Sequence, residues 1–490
     1  MESLSPTFIA LLILAYFIML IVVAYFTKGS SDNKTFFSAN KNSHWFLVAF
    51  GMIGASLSGV TFISIPGVVG GTGTNIAFSY MQVVFGYLIG YFIIATVLMP
   101  IYYKHNLTTI YGYLEQRFNT TAYKTASAYF LLSRMVGSAL RLYLMALVLD
   151  KVVFSPLGIS FEITVAITIF LIWVYTFQGG IKTIVVTDTL QTTFMILAVV
   201  MTIILAGQGL EWDIATITNK IYQSEYSRIW FFEGGWSDPN NFWKQLLSGA
   251  LIALVMTGLD QDMMQKNLTC RNLRDAQKNM LTFSIILVLV NLLFLCLGAL
   301  LYIYAAEKGI SLPEKTDQFY PMIAMEHLPG IVGILFIIGL IAAAYSSADS
   351  ALTALTTAFC VDFLEIEKSN ASEKEVTRKR MITHITMSII MIVVIILFYK
   401  FSSGAVINQV FVAAGFTYGP ILGLFSFAIL TKRQLPGIPT IVVCIAAPIL
   451  SYVIDTNAGK LLNGFEFGNI IIALNGLISF IGLYLISSKK

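Results

Sequence analysis

The sequence predicts an all-α protein that crosses a membrane many times, and two properties carry that prediction. Of its 490 residues, 57% are hydrophobic and 11% are charged, with a mean hydropathy of +0.80, whereas soluble domains carry about 25% charged residues. The apolar runs also far exceed the ~10-residue alternating strands of a membrane barrel, so helices are the expected spanning elements. This composition argues against a soluble enzyme, a secreted scaffold or a nucleic-acid binder.

About thirteen apolar runs are long enough to cross a bilayer, which takes about 20 helical residues. They are expected at residues 6–27, 45–66, 76–103, 122–150, 163–178, 183–207, 242–265, 279–305, 330–362, 380–400, 404–431, 437–454 and 467–487. The first run has no basic region before it and no small-residue cleavage site, so it is interpreted as a membrane helix. We expect residues 1–490 to form one membrane domain.

Basic residues are distributed unevenly over the connections between these runs. One alternate set of connections, which starts with Lys28, Lys34 and Lys41, holds twenty of the thirty Lys and Arg residues. The opposite set holds eight, and Arg134 and Arg141 lie inside a run. Because basic connections remain cytoplasmic, we expect a plasma or inner membrane protein with its N-terminus outside and its C-terminus in the cytoplasm.

Cysteines and histidines give no sign of a metal centre or a catalytic site. The cysteines at 270, 296, 360 and 444 and the histidines at 44, 105, 327 and 384 are scattered without ligand spacing. The HExxH and GxSxG signatures do not occur. We therefore expect free thiols, no transition metal, no cofactor and no enzymatic activity.

Small and polar residues interrupt the second run. Gly51, Gly54 and Gly59 are poor helix formers, and Ser58 and Thr61 are among the hydroxyl residues beside them. An unwound stretch would expose backbone carbonyls and two half-helix ends, which can bind a cation and a polar solute. Close packing of small residues against another helix is the alternative.

The seventh run is interrupted in a similar way between Thr257 and Asp262. It lies five helices after the first interruption, and repeats with an odd number of helices must have opposite topology. Paired broken helices in inverted halves indicate a transporter site near the membrane midplane. Asp260 and Asp262 lie close to a basic connection, so a gate or salt-bridge role is favoured for them.

The ninth run contains a carboxylate deep in an apolar helix. Helical spacing places Ser346, Asp349, Ser350 and Thr353 on one face. A hard monovalent cation requires several oxygen ligands, which a carboxylate and hydroxyl groups supply. An aspartate that is neutralised by Lys or Arg, or stays protonated, is the alternative.

Three further charged residues lie within runs. Asp188 is interpreted as an ion ligand, a proton acceptor or an interfacial cap, and the alternatives stay open. Arg134 and Arg141 are seven residues apart and share a helix face about 10 Å apart. They would clamp an anionic solute, since Arg pairs well with carboxylates, neutralise buried acids, or snorkel to the membrane interface.

The sequence resembles the solute:sodium symporters, a family with the LeuT-type inverted-repeat fold. The similar segments are Thr35-Phe-Phe with Trp45, Ser58 to Pro66, Gly179 to Gln191, Gln261 to Lys266 and Gly339 to Ser347. Among the members whose sites can be placed on this sequence, it is most similar to the bacterial sialic acid symporter. The resemblance implies two inverted five-helix repeats at 45–207 and 242–431, an extra N-terminal helix at 6–27 and two C-terminal helices at 437–487.

The resemblance also implies a site for the coupling ion. Sodium would bind the backbone carbonyls of Gly54 and Leu57 and the side chains of Ser346, Asp349 and Ser350. The family usually has Ser or Thr where this chain has Asp349, so the site gains a negative charge. An accessory sodium site would use Asp188 with the same three side chains of the ninth run.

Solute-binding positions are implied as well. Ser58 and Thr61 match pocket residues of the first broken helix, and Phe78 and Gln82 match those of the next run. The carboxylate-binding arginine of the sialic acid symporters falls on Gly137, with Arg134 and Arg141 on either side. A solute smaller and less hydroxylated than sialic acid is at least as compatible with this pocket.

Three functions follow from these observations. The first is secondary active symport, in which the inward sodium gradient drives import of a small solute such as a sugar or a carboxylate by alternating access. The second is a proton-coupled carrier in which Asp349 and Asp188 titrate. The third is a sensor or channel, against which the absence of a signalling domain or a repeated pore loop argues. The expected partners are the solute, sodium ions and lipid.

Overall fold

The computed structural model describes residues 5–27, 36–37, 39–369, 371–401, 406–462 and 464–489. Within these residues the chain is helical, and its only β-structure is two isolated bridges. The fold class predicted from composition is confirmed. Lys28, Lys34 and Thr35 lie outside the described residues.

The apolar runs form helices with bounds close to those expected. The helices are α1 (Pro6–Thr27), α2 (Trp45–Ser56), α3 (Gly59–Val68), α4 (Tyr80–Lys104), α5 (Thr120–Leu157), α6 (Phe161–Thr176), α7 (Gly180–Gln208), α8 (Phe242–Gly258), α9 (Gln261–Leu268), α10 (Leu273–Lys308), α11 (Gly330–Phe363), α12 (Glu373–Phe401), α13 (Val406–Thr417), α14 (Gly419–Leu430), α15 (Gly437–Leu461) and α16 (Gly468–Ile486).

Eight of these helices are long and apolar enough to cross a membrane unbroken. Four further pairs are bent: α2–α3 by 59°, α5–α6 by 114°, α8–α9 by 64° and α13–α14 by 45°. The described residues contain twelve spans if every pair is one crossing. A bend of 114° turns the chain back, so we interpret α5 and α6 as two crossings, and the total agrees with the thirteen expected.

Both interruptions expected from the sequence are present. Leu57 leaves the helical region (φ −87°, ψ 81°) and Ser58 is extended (ψ 175°), so α2 ends two residues before α3 begins. The second break is stabilised by a cap, because the Asp260 side chain accepts hydrogen bonds from the N–H groups of Asp262 (2.9 Å) and Met263 (3.3 Å).

The third broken span, α13–α14, was not expected, since residues 404–431 read as one continuous apolar run. Pro420 occupies the first turn of α14, where its missing N–H costs nothing. A proline at that position starts a new helix as readily as it interrupts an old one. The sequence signal was therefore present but ambiguous.

Glycines allow two helices to cross closely beside the first break. A Cβ on Gly86 of α4 would clash with the Leu246 carbonyl, and one on Gly249 of α8 would clash with the Val83 carbonyl. The backbones of α4 and α8 are thus in direct contact, as small residues permit in membrane helix pairs. This crossing fixes the first helix of the second half against the first half.

A buried carboxylate joins three elements at one end of the bundle. Asp317 lies in the connection between α10 and α11, and its Oδ1 accepts a hydrogen bond from Ser64 Oγ of α3 (2.6 Å). Its Oδ2 accepts one from the backbone N–H of Val406, the first residue of α13 (3.0 Å). A Cβ on Gly67 would clash with the Thr316 carbonyl, so α3 also packs directly on this connection.

The connection between α7 and α8 is amphipathic and rich in aromatic side chains. It contains a helix, Ile214–Gln223, with Ile217 and Ile221 buried. Trp230 stacks on Phe85 of α4 with a 5.7 Å centroid separation. Aromatic side chains with one exposed edge are typical of the membrane interface.

Candidate transport site

A cavity of about 70 Å³ lies at the break between α2 and α3. Its wall is formed by residues from both sides of that break and from α4, α5, α8, α9, α10 and α13. Four of the residues expected to bind solute line it: Ser58, Thr61, Arg134 and Arg141. The two broken spans α2–α3 and α8–α9 therefore both contribute to one cavity, called the central cavity below.

Asp349 is fully buried on α11, and polar groups of two helices surround its carboxylate. Oδ2 accepts a hydrogen bond from the Tyr175 hydroxyl of α6 (2.9 Å), and Oδ1 accepts one from the Ser350 backbone N–H (2.5 Å). Among the described residues, no Lys or Arg lies within 4.0 Å of it. A buried carboxylate without a counter-ion is costly, and a bound cation would remove that cost.

The break in α2 lies against this part of α11. A Cβ built on Gly54 would lie 3.1 Å from Ser346 Oγ and would clash with Thr192 Oγ1 of α7. The Gly54 N–H donates to Thr192 Oγ1 (3.0 Å). The Leu57 N–H donates to the Ile53 carbonyl (2.7 Å), and because α2 ends at Ser56 the carbonyls after Ile53 have no helical amide one turn further on. The structure thus brings the last turn of α2 beside Ser346, one turn from Asp349 and Ser350 on α11.

Asp188 forms a buried ion pair that the sequence did not indicate. Its Oδ2 lies 2.6 Å from the Lys266 ammonium of α9, and both side chains are almost wholly buried. Asp188 also lies under α2, since a Cβ on Gly51 would approach its Cβ to 3.1 Å. Its Oδ1 has no hydrogen-bond partner among the described residues.

The two arginines of α5 have different surroundings. Arg134 is buried and donates to Asp262, and its Nη1 lies 4.0 Å from Asp260 Oδ2. The Tyr418 hydroxyl at the α13–α14 bend also donates to Asp260. Arg134 therefore neutralises acids at the second break, which was the alternative to an anion clamp, and ties α5 to α9.

Arg141 has no such acid. Its Nη1 donates to the Ser347 hydroxyl of α11 at 3.4 Å, and no carboxylate of the described residues lies within 4.0 Å. It lies on the cavity wall with Tyr80, Tyr87 and Tyr91 of α4. A guanidinium in this setting can bind a carboxylate through two parallel hydrogen bonds.

Phe78 and Gln82 do not line the cavity, contrary to the expectation from the resemblance. Gln82 Nε2 donates to the Asn240 carbonyl (2.8 Å), and Gln82 Oε1 accepts from the Phe231 N–H (3.2 Å). The Phe78 N–H donates to the Arg228 carbonyl (3.1 Å). Both residues hold the connection between α7 and α8 onto α4, because that connection folds back over the helix end.

Sequence reasoning missed several residues of the cavity wall. Tyr80, Tyr87 and Tyr91 are spaced by seven and four residues, so they form a stripe on one helix face that the sequence displays. Asn291 is a polar residue inside the apolar run 279–305, and the rule that singled out Asp349 applies to it. Tyr175, which donates to Asp349, has no distinguishing sequence signal.

Comparisons with known proteins agree with this architecture. Residues 36–435 match the model of the sodium:solute symporter family. The sodium/sialic acid symporter NanT of Aliivibrio fischeri is 26% identical over 84% of this chain and 80% of its own length. SiaT of Proteus mirabilis is 25% identical over 92% of this chain and 89% of its own.

Structural similarity extends over nearly the whole chain. The substrate-bound, outward-open structure of a Na⁺-coupled sialic acid symporter superposes with a TM-score of 0.82 at 19% identity, covering 98% of this chain and 99% of that one. This likeness shows a common fold. The family match spans well over half of the sequence and includes both broken spans, so the chain belongs to the sodium:solute symporter family.

Proposed function

We propose that the central cavity binds the solute and that the cation site beside it binds the coupling sodium ion. As a member of its family, the chain is a sodium-coupled symporter of a small solute and not an enzyme. The assigned sodium ligands are the backbone carbonyls of Gly54 and Leu57 and the side chains of Ser346, Asp349 and Ser350. Sodium is the coupling ion, and no other cofactor is indicated.

The approach of Gly54 to Ser346 is the observation that carries this assignment. The C-terminal end of α2 lies against the face of α11 that carries the hydroxyl of Ser346 and, one turn further on, Asp349 and Ser350. A sodium ion at this position would draw oxygen ligands from two helices that have no shared hydrogen bond there. The ion would then stabilise the broken α2–α3 conformation that shapes the cavity only a few residues away.

Coupling follows from this shared use of α2. A ligand shifts a conformational equilibrium only by its difference in affinity between the two states. Sodium that binds when α2 and α11 are close favours the solute-competent cavity, and the solute reciprocally favours sodium binding. The membrane potential adds about 2.3 kcal/mol per charge at 100 mV.

Asp188 is retained as a candidate ligand of a second sodium ion with Ser346, Asp349 and Ser350. Its unpartnered Oδ1 supports this proposal, and its ion pair with Lys266 limits it. A second ion would have to share the carboxylate with the ammonium group. A single sodium ion at the α2–α11 site is therefore the proposal we favour.

The orientation and the repeat organisation are also proposed. The excess of Lys and Arg on one set of connections supports a cytoplasmic C-terminus and an external N-terminus in a cell membrane. The broken first helices of the segments 45–207 and 242–431, bent by 59° and 64°, support two repeats of opposite topology. The helices at 6–27 and 437–487 would then flank the two repeats.

The experiment is the unfolding midpoint of the detergent-purified protein in sodium chloride and in choline chloride at equal ionic strength. A ligand at a hundredfold excess over its dissociation constant stabilises the folded state by about 2.7 kcal/mol. We expect sodium to raise the midpoint of the natural protein and of Asp455→Ala, a matched control on α15. Asp349→Ala should fold but show no sodium effect. An undiminished sodium effect in Asp349→Ala would contradict the site, and a pH effect in place of a sodium effect would favour proton coupling.

A further inference from the structure

The charge on the cavity wall is positive. Arg134 and Arg141 line the cavity, whereas no Asp or Glu of the described residues does. Asp260 and Asp262 do not line the cavity and take up the two Nη groups of Arg134, whose Nε has no hydrogen-bond partner among the described residues. Arg141 meets only the Ser347 hydroxyl, at 3.4 Å.

Asn291 lies on the wall of the same cavity and has an unsatisfied acceptor. Its side chain is 1% exposed, and its Nδ2 donates to the Leu287 carbonyl one turn earlier on α10 (2.8 Å). Its Oδ1 has no hydrogen-bond partner among the described residues. An acceptor that is buried and unpaired costs about 1–3 kcal/mol, so a ligand that donates a hydrogen bond to it would bind favourably.

The cavity is small. A cavity needs about 10–15 Å³ to hold one water molecule. The volume of 70 Å³ therefore corresponds to roughly five to seven waters. The rest of the wall combines the hydroxyl residues Ser56, Ser58, Thr61 and Thr257 and the tyrosines of α4 with apolar residues such as Ile252, Ala253, Met256 and Phe411. A solute of about six non-hydrogen atoms, with a short apolar portion, matches this space.

We propose that the transported solute is a short monocarboxylate with a hydroxyl group near the carboxylate, bound by Arg141 at one end and by Asn291 Oδ1 at the other. This proposal rests on the proposed function, because it names the solute of the same cavity. The carboxylate replaces the missing acid partner of Arg141, and the hydroxyl donates to Asn291. A hydroxyl is favoured over an ammonium group as the donor, since the wall holds no carboxylate to balance a second positive charge.

This assignment separates the two arginines by role. Arg141 is a specificity-determining residue that contacts the solute, whereas Arg134 positions α9 through Asp262. Neutralising Arg134 would leave Asp262 buried without its partner, which is strongly destabilising. Neutralising Arg141 leaves no acid of the described residues unpaired, so the fold should tolerate it.

The test measures binding of three probes of one skeleton to the full-length protein in sodium: lactate, its neutral amide lactamide, and propionate, which lacks the hydroxyl. Lactate should bind at least about tenfold more tightly than either analogue, since each lacks one of the two hydrogen-bonding groups. Arg141→Gln should bind lactate and lactamide equally. Asn291→Leu should bind lactate and propionate equally while still discriminating against lactamide. Gly459→Ala, where a Cβ meets nothing within 4 Å, is the matched control and should bind as the natural protein does.

The sodium response of the unfolding midpoint keeps the two proposals distinguishable. If sodium stabilises the protein and no probe discriminates as stated, the carboxylate assignment is overturned while the sodium site stands. If sodium has no effect, the proposed function fails first. Arg141→Lys is the second variant, for the case in which Arg141→Gln does not fold. It keeps the positive charge but not the two parallel donors of the guanidinium. It should therefore discriminate between lactate and lactamide more weakly than the natural protein.

Discussion

Gly54 is the residue at which local geometry and ion binding are most closely connected. Its backbone donates to Thr192 and its position faces Ser346, so no room remains for a side chain. An ordinary helical glycine is weakly destabilising relative to alanine. Here the smaller residue is required, because a methyl group would meet two hydroxyl groups that belong to other helices.

We expect Gly54→Ala to weaken sodium binding. The added Cβ would push α2 away from α7 and α11, at a cost of about 1–3 kcal/mol typical of overpacking, and would separate the Gly54 carbonyl from Ser346. Sodium titrations of the unfolding midpoint would measure the loss, with Gly459→Ala as the control. Thr192→Ala in the same chain should partly restore binding by making room. A natural sodium response in the single variant would show that the two helices do not bind a common ion.

The residue scale also shows what the sequence could and could not reveal. Asp349 was identifiable because a carboxylate inside an apolar run is rare. The sequence did not reveal that Arg134 has an acid partner whereas Arg141 has none among the described residues. The positions of Asp260 and Asp262 relative to the two arginines depend on the bend between α8 and α9. The hydrogen bonds of Gln82 were not foreseeable, because its partners, Phe231 and Asn240, lie about 150 residues away in a connection whose path no pattern specifies.

At the scale of elements, the Gln82 side chain of α4 makes two hydrogen bonds to the connection between α7 and α8, beside the Phe78 hydrogen bond and the stacking of Trp230 on Phe85. Gln82→Ala removes both of its hydrogen bonds to that connection and leaves the buried Phe231 N–H without its side-chain acceptor. We expect faster amide exchange in residues 226–241, with an unchanged sodium response. Gln277→Ala, which also removes a side-chain bond to a carbonyl, that of Ala95 at 2.8 Å, is the control. Weaker solute binding without faster exchange would return Gln82 to the solute site.

Element boundaries were predicted well where periodicity and glycine agree. The breaks at Leu57 and Leu259 followed from small or polar residues within apolar runs, and both helix ends fell where those residues begin. The α13–α14 bend was missed because its glycine and proline also occur in continuous membrane helices. Long helices extended beyond the predicted bounds of α10 and α12, since their polar ends continue into water.

At the scale of the whole molecule, the proposed orientation can be tested by labelling. Ser237, between α7 and α8, and Ser372, just before α12, are both exposed and lie on opposite sets of connections. In intact cells, Ser237→Cys should react with a membrane-impermeant maleimide, and Ser372→Cys should react only after permeabilisation. Three of the four natural cysteines are buried and the fourth is half-buried, so the unmodified chain is the control. The reverse labelling pattern would invert the topology.

In the proposed orientation, we expect the Asp317 junction to make the outward face sensitive to acid. With the N-terminus outside, this carboxylate lies at the external end of α3 and α13, and burial raises the pKa of Asp317, an effect that Ser64, Val406 and Lys315 oppose. A carboxyl group whose pKa is raised in the closed arrangement binds protons more tightly there than when exposed to water. A fall in external pH should therefore favour closure.

The accessibility of Ser64→Cys to an external reagent at two external pH values would measure this bias, and Asp317→Asn should abolish it. A reversed pH dependence would mean that the charged form holds the junction closed. Since one carboxylate contacts α3, the connection before α11 and the start of α13, these parts should separate in a single cooperative event. The external acidity of the cell would then act as a brake on the rate of uptake, independently of the sodium gradient that drives it.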